Sequence, residues 1–223
     1  MKTTRVLVSI LLAGTIFTAC QENAKKKDDS AMNNEVEETT TFSNAENEDI
    51  TKVKTREYAM KDGTEISYDY SEDGVTSLSD WLDYNTLSYE LAEIESMDFK
   101  TNNVRVANLD GIISNLGNTI PDWLKTEEVM EDVSDIQKEY KEYLEEKDAS
   151  EKERMENLEE LNEKFADLRE ELNETINEYM EINKEAIEEY NEEIKKGKYE
   201  AAREEYNEEI KKKKKIADYE EKQ

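Results

Sequence analysis

Residues 150–215 read SEKERMENLEELNEKFADLREELNETINEYMEINKEAIEEYNEEIKKGKYEAAREEYNEEIKKKKK. The segment opens on Ser150-Glu-Lys-Glu, the pattern of a capping box. Leu158, Leu161, Phe165, Leu168, Leu172, Thr175, Tyr179, Ile182 and Ala186 then follow alternating steps of three and four, which is a heptad seam. Past Ala186 the apolar positions move to Tyr190 and Ile194, two steps of four, so any supercoil relaxes there. Nearly every other side chain is Glu, Lys, Asn or Arg. Such a helix needs a partner along its narrow apolar face, supplied by helices of the same chain or by a second chain.

An internal repeat lies within this stretch. Glu188–Lys196 and Glu204–Lys212 are both EEYNEEIKK, a period of 16 residues. At 100° per residue a continuous helix rotates the second copy by about 160° relative to the first, so Tyr190 and Tyr206 would face opposite ways. If both copies bury the same residues, the chain must turn between them, and Lys196-Gly197-Lys198 holds the only glycine of the region. The competing reading is drift within a low-complexity Glu/Lys helix that runs on unbroken and self-associates as a coiled coil. Lys211 to Lys215 form a lysine run that suits a helix C-terminus beside abundant Glu, with a phosphate or lipid-headgroup patch as the alternative.

Most of the apolar residues lie upstream, and residues 77–147 are predicted to be a helical core. Leu78, Trp81, Leu82, Tyr84, Leu87, Leu91 and Ile94 recur at helical steps from about Ser77 to Met97. Val104, Leu109, Ile112, Ile113, Leu116 and Ile120 repeat the pattern, weakened by Gly111 and Gly117. Pro121-Asp122-Trp123-Leu124 marks a corner. Thr126 is an N-cap for a helix with Glu127 and Glu128 in its first turn, burying Val129, Val133, Ile136, Tyr140 and Leu144. Trp81 and Trp123 read as core or helix-end packing in preference to ligand platforms.

Residues 56–76 alternate around a turn signal. Tyr58 and Met60, then Lys61-Asp62-Gly63, then Ile66, Tyr68 and Tyr70 predict a short hairpin that caps the helices. Asp69-Tyr70-Ser71-Glu72-Asp73-Gly74 with Asp80 at the twelfth position resembles a calcium loop of the EF-hand type. That resemblance implies Asp69, Ser71, Asp73 and Asp80 as oxygen ligands, although Thr76 stands where an aliphatic residue is usual and no helix precedes the loop. The other reading is an acidic turn in which Ser79 or Asp80 caps the next helix.

The first residues have the form of a leader. Lys2 and Arg5 precede an apolar run from Val6 to Phe17, about a dozen residues long, which fits a signal-peptide core and is too short to span a bilayer as a helix. The run ends in Phe17-Thr18-Ala19-Cys20, which resembles the lipobox of bacterial lipoproteins, with Phe17 where Leu is usual. The resemblance implies cleavage after residue 19 and lipid on Cys20, the only cysteine of the chain; two or three acyl chains suffice for stable anchoring. Residues 20–55 are polar with scattered apolar positions and read as a disordered, lipidated tether. Within it, Lys25-Lys26-Lys27-Asp28-Asp29 resembles the short export signal of Bacteroidota surface lipoproteins, and reads equally as a solvated spacer. Gln21, in place of Asp, is compatible with the outer membrane.

Composition narrows the function. There is no histidine and a single cysteine, so a Cys/His zinc site, a Ser-His-Asp triad and a Cys-His pair are unavailable. Six Gly and one Pro in 223 residues, with 39% charged side chains, favour long solvated helices. The formal charge is −28, and without Lys2 and Arg5 the part from Cys20 on carries −30, which argues against binding nucleic acid over any large surface. The chain is therefore expected to be a mainly α, extended bundle with coiled-coil-like helices. It is expected to sit at the envelope on a lipid anchor and to act as a structural or protein-interaction module, with an envelope protein or a second copy as partner. No catalytic arrangement or resident cofactor is expected. A ligand-binding module for calcium or an envelope component is the alternative.

Overall fold

The computed structural model describes residues 36–42, 52–59, 65–72, 74–97, 99–146, 149–217 and 219. Along them the chain runs β1 (Val36–Phe42), β2 (Lys52–Ala59), β3 (Glu65–Ser71), β4 (Gly74–Leu78), α1 (Leu82–Glu95), α2 (Phe99–Val106), α3 (Asp110–Thr119), a 3-10 turn (Asp122–Leu124), α4 (Glu127–Glu145), α5 (Glu151–Lys195) and α6 (Tyr199–Lys213). The fold is mainly α, an extended bundle with a small antiparallel sheet ahead of the helices.

The long helix α5 begins at Ser150 because two of its orphan amides are satisfied there. Ser150 Oγ accepts the Glu153 N–H at 3.3 Å and the Glu153 carboxylate accepts the Ser150 N–H at 2.7 Å, which completes the capping box. These bonds hold the Glu153 carboxyl below its ordinary pKa. The helix then continues for 45 residues, about 67 Å at 1.5 Å each. Its buried stripe comprises Leu158, Leu161, Phe165, Leu168, Leu172, Ile176 and Tyr179, and continues through Asn183, Ala186, Ile187 and Tyr190. Ile182, placed in the seam by the heptad reading, is only half-buried; past Tyr179 the stripe keeps the 3.6-residue period of a straight helix and turns Asn183 inward instead.

Helix α4 packs along α5. Thr126 Oγ1 accepts the Val129 N–H at 3.0 Å, so the predicted cap is present. Val129, Val133, Ile136 and Tyr140 are buried and Leu144 is half-buried against the same core; Tyr143, outside the predicted series, is buried as well, its hydroxyl donating to Asn103 Oδ1 at 2.6 Å. Arg154 at the start of α5 reaches the same Asn103 oxygen at 3.0 Å, which pins α2, α4 and α5 together at that end.

Two expected helices are revised. The first starts at Leu82, not near Ser77, because Gly74–Leu78 pairs with β3 as a strand. Neither Ser79 nor Asp80 caps it; the N-cap position is Trp81, without a side-chain bond. The Asn85 amide instead takes over the strand end, accepting the Leu78 N–H at 2.7 Å and donating to Leu78 O at 2.6 Å. The second predicted helix is broken at Ala107–Leu109 into α2 and α3. Leu82 and Val104, read as core, are 75% and 65% exposed; in α1 the buried face is that of Tyr84, Leu87, Leu91 and Ile94, from which Leu82 points away. Trp81 is fully buried and stacks on Tyr84 at 5.1 Å.

The sheet is larger than the predicted hairpin. Its order is β1-β2-β3-β4, all neighbours antiparallel, with Val36 opposite Tyr58, Ala59 opposite Glu65 and Tyr68 opposite Leu78. The stretch read as a disordered tether up to residue 55 therefore contains β1 and part of β2. Single β-branched residues (Val36, Thr39 to Thr41, Val53, Thr55) lack a helical or core pattern, but a strand that joins an existing ladder needs no core of its own. The predicted turn residues Lys61, Asp62 and Gly63, like Cys20 and the leader, lie outside the described residues.

The sheet meets the bundle at Gly74. With φ +97° and an ideal β-carbon only 3.2 Å from the Arg169 carbonyl, this position admits glycine alone without strain. The main core joins β3 and β4 to α1 through α5, while a second cluster of Ile187, Tyr190 and Ala202, flanked by Ile194 and Tyr206, joins α5 to α6.

Candidate interaction surface

The chain turns at Gly197. The Gly197 N–H donates to Ile194 O and the Lys198 N–H to Glu193 O, both at 2.9 Å, and Gly197 takes φ +74°, which together form a Schellman motif. Helix α6 then returns along α5, and the two copies of the repeat face each other. Tyr190 and Tyr206, the same position in the two copies, meet edge to face at 6.1 Å. Equivalent residues take equivalent roles on both sides. Ala186 and Ala202 are fully buried, and Glu193 and Glu209 are buried to 7% exposure. Lys196 pairs with Glu193 at 2.6 Å as Lys212 pairs with Glu209. Bonds from Lys196 and from Lys198, 3.0 Å away, hold the Glu193 carboxyl below its ordinary value.

One side of this hairpin is a groove lined by Glu189, Glu192 and Glu193 of α5 and Glu205, Glu208 and Glu209 of α6. These are three pairs separated by the period of the repeat. Near the end of α6, Lys213 is buried with Nζ 4.7 Å over the Tyr179 ring, a cation–π contact that fastens the helix to the body. Tyr179 also packs against Trp123 at 5.1 Å, and Trp123 Nε1 donates to Asp80 at 3.1 Å. The Tyr219 N–H reaches Lys125 O at 3.1 Å. The lysine run is thus partly structural: Lys212 and Lys213 are engaged within the fold.

A second acidic flank follows the α4–α5 seam. Asp132 of α4 is pushed up to about 6, first by burial and then by Asp167, Glu171 and Asp135, against the lowering effect of Lys164. Glu139 and Glu171 are raised as well, burial leading in both, with Glu160 facing Glu139 and Glu128 acting on Glu171. Lys164 is bonded to Asp167 at 3.0 Å, which leaves the other carboxylates of the flank to repel across the seam. Toward the α5 N-terminus the flank widens into a shallow surface lined by Glu146, Glu153, Glu156, Asn157, Glu159, Glu160 and Glu163, with Asn157 donating to Glu146 at 2.7 Å.

The residues of the calcium reading are not gathered into a loop. Asp69 and Ser71 belong to β3, paired with Ser77 and Gly74 of β4, and Asp69 accepts the Thr55 hydroxyl at 2.6 Å. Asp80 accepts from Trp123, and Asp73 lies outside the described residues. An EF-hand loop wraps its oxygens around one centre, whereas Asp69 and Ser71 lie in a paired strand and Asp80 is bonded to Trp123; the assignment as a whole also needs Asp73. Among the described residues no group of three or more metal-ligating side chains is arranged to hold an ion, and no helix is long and apolar enough to cross a membrane.

The acidic flanks were missed from sequence because they are scattered among many other glutamates. The available signal was positional: Glu128, Asp132 and Glu139 border the apolar stripe of α4, where long charged residues flank a helix seam. Compared with protein-family models, curated proteins and solved structures, the chain matches none.

Proposed function

We propose that this chain is a lipid-anchored protein of the bacterial envelope, on the outer membrane, that acts through protein contacts made by its helices. The anchor rests on the leader ending in the sole cysteine, Cys20. The observation that carries the contact role is the α5–α6 hairpin, whose apolar face is satisfied within the chain while three repeat-related pairs of glutamates line its outer groove. Such a surface suits a cationic protein partner, because its charges attract at a distance and orient the encounter. The body holds this groove at one end of the 45-residue helix α5, away from the sheet that follows the anchor.

Cys20→Ala tests the anchor. Metabolic labelling with a palmitate analogue should mark the wild type and not the variant, which should leave the membrane fraction or persist as precursor; a mature wild type without acyl chains ends the reading. Retrieval of partners from native envelopes, compared between wild type and a variant with Glu192 and Glu208 changed to Lys, tests the groove.

A further inference from the structure

The repeat copies are identical over nine residues and pack against each other antiparallel, so whatever copy one offers to copy two it also offers to another copy one. We infer that EEYNEEIKK is a self-complementary helix-pairing face whose natural partner is a second copy of itself, and that Gly197 closes the two faces on each other within one chain. The inference goes beyond the contact role proposed above, since it concerns the buried face of the hairpin and not its acidic groove, and it is independent of the lipid.

Three observations carry it. First, the hairpin sets Tyr190 on Tyr206, buries Ala186 and Glu193 as it buries Ala202 and Glu209, and pairs Lys196 with Glu193 as it pairs Lys212 with Glu209. A true two-fold between chains would set Tyr190 on Tyr190 with the same contacts, as an isologous interface requires. Second, Ile187, Tyr190 and Ala202 form a cluster distinct from the main core, which, among the described residues, the end of α6 reaches through Lys213, Ile216 and Tyr219. Third, the turn that brings the copies together needs a left-handed backbone at Gly197, beside the contacts of Lys213 and Tyr219 that fasten the end of α6. A β-carbon there meets nothing within 4 Å, but φ +74° is a conformation that L residues avoid.

The period makes the two ways of opening the hairpin differ. A chain whose α6 is displaced shows one free face and should form a closed dimer. A chain whose turn is straightened into helix carries its two faces about 160° apart, on opposite sides of one rod. Each face then recruits a different neighbour, and assembly does not close.

The test uses full-length protein, in detergent where it is acylated and in buffer where it is not, so the state of the lipid does not affect the result. Sedimentation should give a monomer for wild type. Ala202→Glu places a carboxylate in the α5–α6 cluster, opposite Ile187 and Tyr190, and should double the mass; adding Tyr190→Ala should restore the monomer. Gly197→Ala should give species beyond the dimer that grow with concentration. A wild-type dimer would overturn closure within the chain. Monomeric Ala202→Glu and Gly197→Ala variants of undiminished helicity, or a dimer indifferent to Tyr190→Ala, would overturn the self-pairing face. Should Ala202→Glu fail to fold, Gly197→Ala decides the matter alone, because its side chain meets no neighbour.

Discussion

Asp132 shows how a single side chain can set the sign of a pH response. Its folded pKa of about 6 lies above the ordinary aspartate value, so the folded state binds the proton more tightly than the unfolded chain does. The stabilisation from that proton is complete below the unfolded value near 4 and is lost as pH rises through about 6. This is the reverse of a salt-bridged carboxylate. Asp132→Asn should therefore stabilise the protein at pH 7 by about 1 kcal/mol, after allowance for solvent screening, and flatten the stability profile between pH 4 and about 6. Denaturant titrations of both proteins across that range measure the difference, and parallel profiles would show that neither burial nor the neighbouring acids raise this residue's pKa. Nothing in the sequence singles out Asp132 among 58 acidic residues, because its character comes from what α5 sets opposite it.

Elements were legible where their causes are local. The caps at Thr126 and Ser150 and the turn at Gly197 need only adjacent residues, and each stands where its pattern places it. Strand β4 and the late start of α1 were not legible, since Leu78 fits a helical apolar series and a strand end equally well. What decides is a partner strand and the Asn85 amide, both supplied by the fold. Strand β1 likewise has meaning only beside β2. The capping box itself is open to test: Ser150→Ala should cost about 1 kcal/mol, and Ser150→Asp should recover most of it. Thermal melts followed by circular dichroism read both. An unchanged midpoint in Ser150→Ala would mean that packing alone fixes the start of α5.

For the whole molecule, composition was decisive about class: few Gly and Pro and abundant Glu and Lys point to long solvated helices, and a mainly helical bundle is what forms. The same composition leaves a charge of −28 on the chain, with acidic flanks at the α4–α5 seam and in the α5–α6 groove. Self-repulsion of this kind is screened by salt, whose Debye length shrinks from about 30 Å at 0.01 M to about 3 Å at 1 M. Raising NaCl over that range should raise the midpoint of thermal unfolding by about 3 °C or more. A midpoint that falls with salt would assign the larger effect to the ion pairs.

The turn at Gly197 also bears on how such a protein can arise. A helix carrying one self-pairing face must find its mate on another molecule, at a rate and occupancy set by abundance. In-frame duplication of 16 codons, with a glycine at the junction, supplies the mate on the same polypeptide and removes that dependence on dose. A mutation at that one glycine codon would restore it, so a lesion whose new side chain meets no neighbour would be felt through neighbouring molecules, and most strongly in cells that make the most of them.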